Sequence, residues 1–137
     1  MRPAALLVAL LCSCGAAPQD GPAIFSTQAS QVMTSLSGAL QLQVFEQVDR
    51  PVSRGVNALR LGVVTSDAGV DLRGLSLSVT PWMEVMGHGS AVVPSVTPDE
   101  GGFVIDDLSF PMPGQWELRC TFEGPVTDHA LVHFDLQ

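Results

Sequence analysis

The sequence predicts an all-β fold, an antiparallel β-sandwich of about seven strands. Three observations carry that expectation. Beyond residue 39 short apolar runs alternate with period two, clusters of Gly, Pro, Asp and Asn break them at intervals of roughly 8–12 residues, and no stretch carries a helical period of useful length.

The expected strands are residues 40–47, 57–64, 75–81, 90–96, 102–108, 115–122 and 129–136. In 115–122, Trp116, Leu118, Cys120 and Phe122 share one face and Glu117, Arg119 and Thr121 the other, so the apolar set faces inward. In 129–136 the inward set is Ala130, Val132, Phe134 and Leu136. If the strands run up and down, loops 48–56, 82–89 and 109–114 meet at one end. The turns at 65–74, 97–101 and 123–128 then lie at the other end. Greek-key crossing would change neighbours without changing this parity.

Ahead of the predicted domain, residues 40–137, stands a different kind of sequence. Met1-Arg2 is a short positive region, and residues 4–11 are eight unbroken apolar residues, too few for a span of roughly 20. They read as the core of a secretory signal, residues 1–13. Leu11-Cys12-Ser13-Cys14 resembles the lipobox of bacterial lipoproteins, which implies that Cys14 becomes the lipid-bearing first residue. Residues 14–39, rich in Ala, Ser, Gln, Pro and Gly, read as a lipidated N-terminus and flexible tether. The chain is therefore expected to be exported and held to a membrane through Cys14, on the periplasmic side of the inner or outer membrane or on the cell surface.

Composition narrows the partners. The chain holds 14 acidic residues against six basic ones, all Arg, for a formal net charge of −8. Such a surface offers nothing to phosphates, so nucleic acid is excluded as a partner. With Cys12 in the signal and Cys14 acylated, Cys120 stands alone and no disulfide is expected. No nucleophile with a neighbouring base emerges, so the chain is not expected to be an enzyme. His129 and His133, four apart on a strand, are roughly 13 Å apart along the chain and cannot chelate one ion. Asp106 and Asp107 are expected on opposite strand faces, and Cys120 as a buried, inert thiol.

The segment that could carry chemistry is Pro81-Trp82-Met83-Glu84-Val85-Met86-Gly87-His88-Gly89. It sets two thioethers and an imidazole within six residues, and a third thioether, Met112, lies on a loop that parity brings to the same end. Soft thioethers with an imidazole select Cu(I) over Zn, Mg or Ca, and thioethers lose no proton on binding. Gly87 lets the backbone bend so that Met86 and His88 can turn toward one point. The other reading of the same residues is packing: Met83 and Met86 as flexible filler at the open end of the sandwich, with His88-Gly89 as a turn.

Met83-x-x-Met86-Gly87-His88-Gly89 is followed by Gly102-Phe103-Val104-Ile105-x-x-Leu108-x-Phe110-x-Met112-Pro113-Gly114-x-Trp116-Glu117-Leu118. Together they resemble the YtkA-like domain family, with looser similarity back to Gly55-x-Asn57 and forward to Asp128-x-Ala130, covering nearly all of residues 43–137. The resemblance implies an exported immunoglobulin-like sandwich with a role in copper handling, and Cu(I) as its cofactor or cargo. It carries over Met86, His88 and Met112 as metal ligands with Met83 as a fourth, and it implies a protein that donates or receives copper. Relatives often have Met-Pro where this chain has Pro81-Trp82-Met83-Glu84. The alternative function is a structural or partner-binding surface lipoprotein without metal.

Overall fold

A computed structural model describes residues 21–137, which form two antiparallel sheets packed as a β-sandwich. The strands are β1 (Gln31–Thr34), β2 (Leu40–Glu46), β3 (Gly55–Thr65), β4 (Ser76–Met83), β5 (His88–Gly89), β6 (Ser95–Asp99), β7 (Gly102–Phe110), β8 (Gly114–Glu123) and β9 (Asp128–Leu136). One sheet has the order β1-β2-β3-β7-β6 and the other β5-β4-β8-β9. The signal peptide, the lipobox and Cys14 lie outside the described residues.

The inward faces follow the predicted alternation. Leu40, Leu42 and Val44 of β2, Leu59, Leu61 and Val63 of β3, and all eight residues expected inward from β8 and β9 are buried. Phe110 joins the sheets, with its ring centroid 5.3 Å from Trp116 and 5.6 Å from Phe134. On β7 the inward set is Phe103 and Ile105, then Leu108 and Phe110, a break of period two. The cause is a bulge: Asn57 pairs with Leu108 but Leu59 with Ile105, and Asp107 sits at φ 55°. This extra residue turns Leu108 and Phe110 back into the core. Asp106 and Asp107 therefore form a bulge rather than simple opposite-face positions.

Among the described residues nine strands replace the expected seven, for two local reasons. The segment 90–96 does not form one strand: β5 has already ended at Gly89, residues 90–94 cross between sheets with Val92 and Val93 exposed, and β6 begins only at Ser95. Pro94 has no N–H to give a ladder, and Pro98 is tolerated because β6 is an edge. Within the segment read as a tether, residues 31–34 form β1, paired with β2 from Gln31↔Val44 to Thr34↔Gln41.

A clasp fixes that segment to the opposite sheet. The carboxylate of Asp128, buried at the start of β9, accepts from the Ser37 hydroxyl (2.5 Å), the Ser37 N–H (3.2 Å) and the His129 N–H (2.8 Å). Burial alone would push this carboxyl up. The hydrogen bonds from Ser35, Ser37 and His129 outweigh burial and bring it down to about 2. The Leu36 N–H donates to His129 O and the Gln31 amide to His133 O, covering part of the β9 edge.

The neighbours are not those of a simple meander, since β3 pairs with β7 and β4 with β8. Parity is nevertheless kept. Gly55 pairs with Phe110 and Trp82 with Glu117, which places loops 48–56, 82–89 and 109–114 at one end.

Candidate metal-binding end of the sandwich

The Met/His segment is a reversal that needs both of its glycines. After Met83 the chain makes a 3-10 turn, Glu84–Met86, closed by Gly87 in the left-handed region (φ 66°, ψ 25°). The Gly87 N–H donates to Met83 O (2.9 Å) and Glu84 O (3.1 Å). Only glycine reaches this φ without cost. The chain then returns as β5, pairing His88 with Met83 and Gly89 with Trp82. A β-carbon on Gly89 would stand 2.7 Å from the Pro81 carbonyl, so that strand can lie this close only with glycine. The bend expected at Gly87 is present, and the close approach at Gly89 is an additional constraint.

The four candidate ligands occupy different surroundings. Met83 is 4% exposed and belongs to the core. Met86 is 56% exposed, and the 3-10 turn that carries it contains no buried residue. His88 is exposed, its Nδ1 3.1 Å from the Gly89 carbonyl. In the tautomer with the proton on Nδ1 that contact is a hydrogen bond and Nε2 is left free to accept a metal. Met112 is half-buried against the core, and its carbonyl accepts the Trp116 Nε1–H at 3.0 Å. That bond fixes the backbone of the 111–113 loop to a fully buried ring.

The two methionine loops touch through Met83. Its methyl carbon, Cε, stands 3.2 Å from where a β-carbon would sit on Gly114, two residues after Met112. The long-range expectation that Met112 returns to the end bearing Met86 and His88 is therefore met by the backbone. Loop 48–56 closes the same end: the Asn57 amide donates to Ser53 O, Gly55 O and Leu108 O and accepts the Ser53 N–H.

Arg119 steadies the turn from outside. Its guanidinium lies 4.6 Å from the Trp82 ring centroid, pairs with Glu84 at 2.8 Å and with Glu117 at 3.1 Å. A planar cation on an aromatic face with two carboxylates at its edge is the arrangement Arg makes and Lys does not. From sequence Arg119 was only an outward residue of a strand; its partner Glu84 is 35 positions away, beyond any local pattern.

Among the described residues, no three His, Cys, Asp or Glu side chains gather as a metal-holding group. His129 faces outward with Nδ1 3.2 Å from Thr121 Oγ1, and His133 is exposed on the same face. Cys120 is buried and its thiol is pushed up to about 12 by burial, which suits an inert side chain. The donor chemistry at the loop end fits a soft ion: an exposed thioether and an imidazole flanking one glycine, with a half-buried thioether on the neighbouring loop. No protein family, curated protein or solved structure matches the chain.

Proposed function

We propose that this chain is an exported, lipid-anchored protein that binds Cu(I) at the loop end of its sandwich, for storage, delivery or homeostasis of copper. Met86, His88 and Met112 are the ligands, and Met83 is left to packing because it is already buried against Gly114. The observation that carries the reading is the exposure of Met86. A methionine used as filler is buried, yet this one is 56% exposed beside an exposed imidazole on a turn built by glycine. Since His88 is the only residue in the set that is not a thioether, the donors favour Cu(I) over harder cations. A YtkA-like reading of residues 43–137 would imply the same function, and the lipobox-like Leu11-Cys12-Ser13-Cys14 supports the anchor.

The deciding experiment loads the full chain anaerobically with Cu(I), removes free metal and measures copper per protein. Wild type should retain copper, and a Met86→Leu/His88→Ala double variant should lose it. Equal copper in both proteins would remove the site. For the anchor, the mass of the N-terminal peptide should show a lipid on Cys14 and loss of residues 1–13, both absent in Cys14→Ala, and an unmodified Cys14 in the wild-type protein would overturn it.

A further inference from the structure

The turn that carries Met86 also forms one wall of a groove of about 470 Å³ on the outer face of the second sheet. Its other walls come from the start of β8 and the end of β9. Buried Trp116 and Phe134 lie under its floor, and Val85, 82% exposed, stands at its rim as the apolar contact open to a ligand. The charged lining is Glu84, Glu117 and Asp135, joined by the His133 imidazole and the Gln115 amide. Arg119 offsets one of these charges through its pairs with Glu84 and Glu117. Asp135 has no ion-pair partner among the described residues.

An exposed valine beside an excess of carboxylates does not suit an acidic, phosphate-bearing or purely apolar ligand. It suits a cationic side chain with an aliphatic stem, which lays its methylenes on Val85 and its charge toward Asp135. We propose that this groove is a docking site for a protein partner that presents a basic residue flanked by an apolar one. The inference comes from the groove and its charge alone and does not depend on copper. Its position beside the 84–88 turn would bring such a partner to the end that bears Met86 and His88.

The test uses the full apo chain and a fluorescently labelled acetyl-Arg-Leu-Arg-amide peptide, followed by anisotropy at low salt. Saturable binding is expected, weakened at least about fivefold by Asp135→Asn and by Val85→Lys. Glu123→Gln makes the same charge change as Asp135→Asn at the far end of β8, and it should leave binding unchanged. Equal weakening by Glu123→Gln would mean diffuse attraction to an acidic surface and would overturn the proposal. So would equal binding of acetyl-Glu-Leu-Glu-amide, or no loss in Asp135→Asn. Sedimentation of the chain alone covers the remaining occupant: self-association abolished by Val85→Lys would assign the groove to a second copy instead.

Discussion

Met83 and Gly114 meet where two loops of different strands converge, with the Met83 methyl 3.2 Å from the position of a β-carbon on Gly114. Gly114 also has φ 124°, a conformation that other residues rarely adopt. Gly114→Ala therefore faces two costs of different size. The methyl is the far end of a flexible side chain and can give by a few tenths of an ångström, whereas the backbone cannot. We expect a loss of roughly 1–3 kcal/mol, dominated by the backbone, measured by the urea midpoint. A midpoint unchanged from wild type would show that the loop relaxes freely.

Met83 and Met112 should separate into packing and binding. Met83→Ala should cost roughly 2–5 kcal/mol, as for a buried methionine, while Met83→Leu leaves Cu(I) affinity intact. Met112→Leu conserves volume, so stability should change by less than about 1.5 kcal/mol. Its Cu(I) affinity, measured against a competing chelator, should nevertheless fall about tenfold or more, or about 1.4 kcal/mol. An unchanged affinity in Met112→Leu would remove it from the ligand set.

Asp128 predicts a particular response to acid. Its carboxyl is held at about 2 against an ordinary value of 3.8, so the unfolded chain binds the proton first. The stability it contributes, on the order of 2 kcal/mol, is complete above the ordinary value and is lost as pH falls toward 2. Asp128→Asn should flatten the stability profile between those limits. A wild-type slope retained in that variant would place the acid sensitivity elsewhere.

Arg119 should matter more to order than to stability. Its ion pairs are largely exposed, so Arg119→Ala should cost no more than about 1 kcal/mol. Losing the contacts to Trp82 and Glu84 should speed hydrogen exchange at residues 84–88 and alter Trp82 fluorescence. Exchange at wild-type rates would show that the Gly87 hydrogen bonds hold the turn unaided.

Most of the sandwich was legible because burial imposes period two on the chain, as in Trp116, Leu118, Cys120 and Phe122. Parity made the meeting of the Met112 and Met86 loops legible too, since paired strand lengths nearly cancel. What escaped was local backbone geometry. Nothing in Asp106-Asp107 announces a bulge, and Val92-Val93-Pro94 reads as strand until its exposure is known. Residues 31–34 look like tether because their strand is held by pairing with β2 and by the distant Asp128 clasp, rather than by an apolar pattern of their own. The exposure that separates Met86 from Met83 is likewise a tertiary property, since both are thioethers three residues apart.

The first described residues enter the fold beside loop 48–56, where Val48 donates to Ile24 O and Phe25 bridges to Gln47. Seven residue steps separate Gly21 from Cys14, and covalent geometry caps that separation at about 25 Å. With the proposed anchor at Cys14, the first described residue enters at the end that carries Met86, His88 and Met112, so chain connectivity alone would keep that end, and any copper bound there, close to the lipid surface.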